Sequence, residues 1–412
     1  MMKNNIILKS FVFIFSNIIL FLGLDGFLNF AGLQSINKCI LLVQLSLLVL
    51  GIYFMSKRIS AWDYSILFFC CIIIANSYLM SYDSQLRWEG IKGQLLFMFA
   101  FILGENFKNN DILYRGRYIF GIIVVVAFLL YIVQPSWYVA YRLSVISEKN
   151  VAESTLLEMT RLSGFWIYPY WVSYGSAIYF HYIICKMLNK EIVHNNIVIA
   201  SLVLLVLIVI LTQQRAPLFL IVLSIFIYFS KSMAEINVKK LLKILTFGCM
   251  LIAIVYFFCK NYLSAERLDF ILNKFMVFQS GNSTSFVSDR ANIFETLLKK
   301  NISFWGDGIG RYGHGAFFEG SISVTDQQYI QLLYETGLFG LLYNVLMLLI
   351  CLILGFKHFD KCKFEVGVIL FYLLAMSGAN CLSSIQLHPI ILWYCCGVVI
   401  FKTKRKLQNV EK

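Results

Sequence analysis

Apolar residues run in long blocks along this chain, and polar residues are confined to the short segments between them. A helix needs about 20 mostly apolar residues to cross a bilayer. Twelve blocks fit that pattern. They are Ile6–Leu24, Cys39–Met55, Tyr64–Met80, Gln94–Phe107, Tyr118–Val133, Phe165–Leu188, Asn196–Leu211, Pro217–Phe229, Ile244–Cys259, Gln328–Gly355, Phe364–Cys381 and Ile385–Phe401. The pattern predicts an all-α polytopic membrane protein with about twelve transmembrane helices, forming one integral membrane domain over residues 1–412. The even count puts both termini on one side. The longest interruption is residues 260–327, and a second covers 134–164, where Val151 to Met159 has the spacing of a short interfacial helix.

Composition agrees with that reading. Hydrophobic residues make up 59% of the chain and charged residues 14%. Soluble domains have about 45–50% and about 25%. The first block has no small-residue cleavage site, and Asp25-Gly26-Phe27 follows it, so it reads as a retained span.

Charge orients the chain. With the termini in the cytoplasm, 21 of the 35 basic residues fall in inner segments, and every inner loop is basic. Half of the other 14 lie in the long loop, to which the charge rule does not apply. Arginine breaks the trend. Arg87, Arg142, Arg161, Arg215, Arg267, Arg290 and Arg311 lie outside, against Arg58, Arg115, Arg117 and Arg405 inside. A planar guanidinium fork suits phosphate or carboxylate better than an ammonium does, so the outer face reads as built to hold an anion. The basic residues form no long patch, which argues against nucleic acid. No cysteine falls between Asn261 and Asp326, so the long loop has no disulfide framework. No Cys-His cluster has zinc spacing, and neither metal nor cofactor is expected.

Four outer patterns carry candidate chemistry. The first is Arg161-Leu-Ser-Gly164 with Pro169-Tyr170, and the second is Thr212-Gln-Gln-Arg215-Ala216-Pro217. The third is Asp289-Arg290 followed by Trp305-Gly306-Asp307-Gly308-Ile309-Gly310-Arg311. The fourth is Asp326-Gln-Gln-Tyr329 with Glu335-Thr-Gly337-Leu-Phe-Gly340.

Together these patterns resemble the O-antigen polymerase and ligase superfamily, the Wzy-like glycosyltransferases. That family has an Arg-x-x-Gly with a later Pro, a Thr-x-x-Arg turn, an Arg before a Gly-rich stretch, and a polar residue opening a helix that reads like Tyr-x-x-x-Leu-x-Glu-x-Gly-x-x-Gly. The likeness covers roughly Arg161 to Gly340. Ligases of the superfamily carry a His where this chain has Asp326, which favours the polymerase branch; His314, twelve residues upstream, does not match that position.

The resemblance implies a GT-C-like fold in the bacterial inner membrane and a metal-independent transfer. A growing glycan on undecaprenyl pyrophosphate would pass to a hydroxyl of the next carrier-linked repeat unit. It further implies a chain-length regulator protein as partner, beside the bilayer itself. Arg161, Arg215 and Arg290 are the candidates for pyrophosphate and glycan phosphate, and Asp326 for the base. Arg311, His314, Tyr329 and Glu335 are further candidates for substrate contact. The alternatives are a ligase with the same donor chemistry, or a flippase for lipid-linked sugars. A flippase is expected to carry charge accessible to both faces and internal repeats, whereas this chain has a one-sided cluster and no repeat.

Each candidate also has an ordinary structural reading. An Arg at a span end, such as Arg215, can snorkel to the interface. Thr325-Asp326 is a helix N-cap pattern. Glu335 can be a buried, protonated packing acid, and Gly337 and Gly340 can serve close helix approach. Gly306, Gly308 and Gly310 lack a strand-to-helix context and read as a turn, not a nucleotide loop. The aromatic run Trp166 to Tyr174 reads as an interfacial belt.

Overall fold

The computed structural model describes residues 37–57, 59–106, 112–147, 161–165, 169–192, 195–230, 302–313, 324, 327–382 and 388–410. The described residues are helical, with no strand among them. The spans expected at Ile6–Leu24 and Ile244–Cys259, and the interfacial helix expected at 151–159, lie outside them. Among the described residues, two helices, Ala61–Leu79 and Gly337–Lys357, are long and apolar enough to cross a membrane, and one bent pair of helices makes a third candidate. The chain divides into two compact units, residues 1–36 with 112–283, and residues 37–111 with 284–412.

The first unit contains α6 (Ile112–Val133), α7 (Ser136–Ser147), α8 (Pro169–Leu188), α9 (Asn196–Leu211) and α10 (Ala216–Ser230). Helix α8 packs on α9, α10 and α6, which explains why nearly all of its residues are buried. Phe120 of α6 stacks on Tyr179 of α8 at 4.4 Å. His181 Nδ1 and Ser224 Oγ, 2.8 Å apart, join α8 to α10, a polar link of the kind that holds apolar helices together. Sequence periodicity missed α7, treating 134–164 as a loop. Gln134 has φ 46° and Pro135 follows it, so the helix breaks and restarts at 101° to the first limb.

The second unit contains α1 (Asn37–Lys57), α2 (Ala61–Leu79), α3 (Ser84–Gly90), a π-helical turn (Ile91–Leu95), α4 (Leu96–Met98) and α5 (Ala100–Asn106), then α11 (Gln328–Glu335), α12 (Gly337–Lys357), α13 (Phe359–Ala375) and α14 (His388–Val410). Ser60 opens α2 with a reciprocal capping box: its hydroxyl accepts from Asp63 N–H while the Asp63 carboxylate accepts from Ser60 N–H. Helices α5 and α14 touch backbone to backbone. A Cβ on Gly104 would meet the Tyr394 carbonyl, and one on Gly397 would meet the Phe101 carbonyl.

Two boundaries differ from the sequence pattern. The expected span Gln94–Phe107 is a broken series that begins ten residues earlier, at Ser84, where Asp83 caps α3 by accepting from Gln85 and Leu86 N–H. The expected span Gln328–Gly355 is two helices, because Gly337 has φ +70° and ends α11.

Helices α2 and α12 lie side by side and run in opposite directions. Phe69 stacks on Tyr343 at 4.0 Å and meets Phe339 at 5.9 Å, while Ser65 Oγ donates to Tyr343 Oη at 3.2 Å. The two ends of this pair differ in chemistry. At one end lie Ser60, Glu105 and Lys404, where Lys404 Nζ donates to Glu105 Oε1 at 2.5 Å and Ser60 Oγ to Oε2 at 3.0 Å. Lys402 pairs with Glu365 at 2.8 Å at the cationic end of α14. At the other end of α2 and α12 sit Arg87 and the Gly-rich loop with Arg311.

Candidate functional site

In the first unit, two of the sequence motifs meet. Leu162 N–H donates to the Leu211 carbonyl at 3.0 Å, so the Arg161–Gly164 segment docks on the end of α9, where the Thr212–Arg215 turn begins. Helix α7 grips the same segment from its other side. Tyr138 Oη donates to the Gly164 carbonyl at 3.2 Å, and Tyr141 Oη to the Phe165 carbonyl at 2.7 Å. The turn itself is tight. Thr212 Oγ1 donates to the Val209 carbonyl at 2.7 Å, and Gln213 adopts φ 57° with its N–H on the Ile210 carbonyl at 2.9 Å. Helix α10 restarts at Ala216, with Pro217 in its first turn, where a missing N–H costs nothing. Arg215 is therefore exposed on a tight corner, and Arg161 is half-buried one residue before the Leu162 contact with α9. Arg142, one turn after Tyr138 on α7, is buried in the same layer; the periodicity had left it in a loop.

The second unit centres on Glu335. It is fully buried at the end of α11, two residues before the span α12 begins. Its Oε2 accepts from Gln94 Nε2 at 2.5 Å, and its Oε1 from Gln331 Nε2 at 3.0 Å and from Tyr312 N–H at 2.9 Å. Gln94 comes from the π-helical turn, whose extra residue per turn re-aims a side chain. Burial raises the Glu335 carboxyl above its ordinary range, outweighing the opposing hydrogen bonds from Gln331, Gln94 and the loop backbone.

The Gly-rich loop is a collar around this carboxyl. Asp307 N–H donates to the Tyr334 carbonyl at 2.8 Å and Gly308 N–H to the Glu335 carbonyl at 3.1 Å, satisfying the exposed end of α11. Gly306, with φ +80°, lies so close to Gly337 that a Cβ on either would strike the other's backbone N–H. The far side of the loop rests on α2 and α3. Asn76 Nδ2 donates to the Trp305 carbonyl at 2.9 Å, Ile309 N–H to Ser77 Oγ at 3.2 Å, and Tyr82 Oη to the Ile309 carbonyl at 2.9 Å. The loop is a turn, as its lack of a strand-to-helix context indicates.

Arg311 is half-buried at the edge of that collar. Its Nη1 donates to the Asp307 carbonyl at 3.4 Å, and its guanidinium carbon lies 5.9 Å from the Tyr82 ring centre. Arg87 lies 4.8 Å from the same ring centre and 4.7 Å from that of Tyr78. Tyr329 Oη donates to the Leu373 carbonyl at 2.5 Å, so its hydroxyl ties α11 to α13. Helix α11 has Gln327 at its N-cap position, with no cap hydrogen bond from the Gln327 side chain, so the N-cap position falls one residue after the expected Thr325-Asp326. Arg290, His314 and Asp326 lie outside the described residues. Among the described residues, no group of three His, Cys, Asp or Glu side chains is placed to hold a metal ion.

The residues that sequence reasoning missed are Gln94, Tyr82 and Arg87. Arg87 had a signal, since it stands among the seven outer arginines. Gln94 had none, because an apolar block of that kind hides the π-helical turn that aims its amide.

In comparisons with known proteins, no family model matches this chain, and no curated protein matches it in sequence.

Proposed function

We propose that this protein is a polysaccharide polymerase of the inner membrane, a GT-C-like glycosyltransferase of about twelve spans with both termini in the cytoplasm. Its substrates would be glycans on undecaprenyl pyrophosphate, handled on the outer face. The observation that carries this reading is the docking of the Arg161 segment on the Thr212–Arg215 corner. Two sequence-distant motifs of the resemblance are joined by a backbone hydrogen bond, and two tyrosines of α7 hold the first of them. The opposed lysine and arginine ends of the second unit add support, because they match the inner and outer faces that the charge rule assigns.

The reaction that the resemblance implies fits these residues. A hydroxyl of the acceptor sugar attacks the anomeric carbon of the donor. A C–O bond forms there as the C–O bond to pyrophosphate breaks. Asp326 takes the hydroxyl proton, and undecaprenyl pyrophosphate leaves with the bonding pair. Arg161, Arg215 and Arg290 stabilise the charge that collects on it. Glu335 has its carboxyl enclosed by three donors, and it serves to hold the Gly-rich loop and Arg311 in place.

Deletion of the gene in its host tests this, read on a gel of surface polysaccharide. Acceptor capped with single repeat units and no ladder is the expected result. Uncapped acceptor with long glycan retained on the carrier would make the protein a ligase. Uncapped acceptor with single carrier-linked units held on the inner face would make it a flippase.

A further inference from the structure

We propose that Arg87 and Arg311 form a binding site, built around Tyr82, for a phosphate or pyrophosphate group carried on a membrane lipid. The inference rests on the polymerase reading for the identity of that lipid; the site itself is argued from its own geometry. The two guanidinium carbons lie 4.8 and 5.9 Å from the centre of one ring, from segments more than two hundred residues apart. They are therefore at most about 11 Å apart, a separation that a diphosphate with one guanidinium at each end can bridge. Arg87 is locked by backbone and rings: its Nη2 donates to the Met80 and Tyr82 carbonyls at 3.2 and 3.3 Å, and it lies over Tyr78 as well.

The nearby acids are committed to other groups. Asp83 accepts from the Gln85 and Leu86 N–H groups as the cap of α3. Asp307 Oδ2 accepts from Tyr312 Oη at 2.5 Å, and Glu89 Oε1 from Gln85 Nε2 at 3.3 Å. Two fixed positive charges thus face a common ring with no carboxylate ion pair to either among the described residues. The surroundings identify the anion as lipid-borne. Tyr78 and Leu79 at the end of the apolar helix α2 are 64% and 84% exposed, and Trp88 and Trp305 beside them are about half exposed. Aromatic side chains exposed at a span end mark the headgroup level of a bilayer. A free metabolite would not need that setting.

The test uses the purified full chain in nanodiscs of neutral lipid, with thermophoresis as the readout. The probes are a polyprenyl pyrophosphate, phosphatidylglycerol and inorganic pyrophosphate. Arg87→Ala and Arg311→Ala are each expected to weaken polyprenyl pyrophosphate binding about tenfold, the scale of one lost charge-assisted contact. Arg117→Ala, outside the site, is expected to leave it unchanged. Phosphatidylglycerol bound and lost in parallel would support a lipid-phosphate site open to more than one lipid. Inorganic pyrophosphate binding as tightly as the lipid would overturn the lipid assignment. Where an alanine variant fails to elute as a single species, the Arg→Lys variant takes its place; it keeps the charge, loses the fork and is expected to bind severalfold more weakly. Wild-type binding undisturbed in every Arg87 and Arg311 variant would overturn this site and leave the polymerase reading standing. Absence of polyprenyl pyrophosphate binding by the wild type would overturn both.

Discussion

The side-chain amide of Gln94 donates to the carboxyl of Glu335 at 2.5 Å, joining residues 241 positions apart in the chain. This contact ties the π-helical turn to the end of α11, and the Gly-rich loop closes over it. The loop that carries Arg311 is thus anchored from within the second unit by a buried acid.

Removing that acid is expected to unseat the loop. Glu335→Ala leaves the Gln94 and Gln331 amides and the Tyr312 N–H without their acceptor, at about 1–3 kcal/mol for each buried orphan. Thermal unfolding in detergent is expected to shift down by several degrees, with loss of polymer in cells. Glu335→Gln keeps one oxygen for Gln331 and Tyr312, and Gln94 can turn its amide to accept. That variant is expected to fold and to make polymer. A well-folded Glu335→Gln protein without polymer would instead make the carboxyl a participant in the reaction.

The same residue sets a pH dependence. Burial raises the folded-state carboxyl above its ordinary value of 4.5. Its stabilisation is then complete below that value and is lost as pH rises through the higher folded-state value. The melting temperature of the wild type, measured relative to Glu335→Gln, is expected to be highest at and below the ordinary carboxylate range and to decline as pH rises above it. A flat difference would mean that the carboxyl does not titrate on unfolding.

Gly337 is expected to resist substitution. Its φ of +70° disfavours any side chain, and a Cβ there would strike the Phe304 carbonyl and Gly306 N–H. Gly337→Ala is expected to cost at least about 1–3 kcal/mol by the strain alone. Gly121→Ala on α6 is the control, since nothing lies within 4 Å of its added methyl. Equal melting temperatures for the two variants would contradict the close contact between the loop and α12.

The polymerase reading predicts a sharp loss at the arginines. Arg161→Ala, Arg215→Ala and Arg290→Ala, at normal protein level, are each expected to abolish the polysaccharide ladder. Arg215→Lys is expected to recover little, because an ammonium lacks the guanidinium fork. A full ladder from any alanine variant removes that residue from the site.

Asp326 separates two roles. Asparagine is nearly isosteric with aspartate but cannot accept a proton from a sugar hydroxyl. Asp326→Asn is expected to fold with an unchanged melting temperature and to make no polymer. Retained polymer would reduce Asp326 to a local structural residue.

What the sequence alone determined is whatever depends on counting along the chain. Apolar block length marks α2 and α12, because hydrocarbon thickness sets how many residues a crossing helix needs. The lysine-bearing and arginine-bearing segments of the second unit are distinguishable without any coordinates, because they lie in separate loops between apolar blocks. The glycines at 306, 308 and 310 read as a turn because no strand-to-helix context surrounds them, and each adopts the positive φ that glycine reaches cheaply. Tertiary structure alone decided what each polar group faces. Gln94 sits in an apolar block, and only a π-helical turn aims it at Glu335. Arg87 and Arg311 meet at Tyr82 through the packing of the loop on α2 and α3, and nothing in their spacing encodes it. The Arg161 segment docks on the Arg215 corner through Leu162, while α7, bent by 101° from α6, presents Tyr138 and Tyr141 to it. Periodicity reports which face of a helix is apolar; partners come from how the helices and loops pack against one another, which is a long-range property of the whole chain.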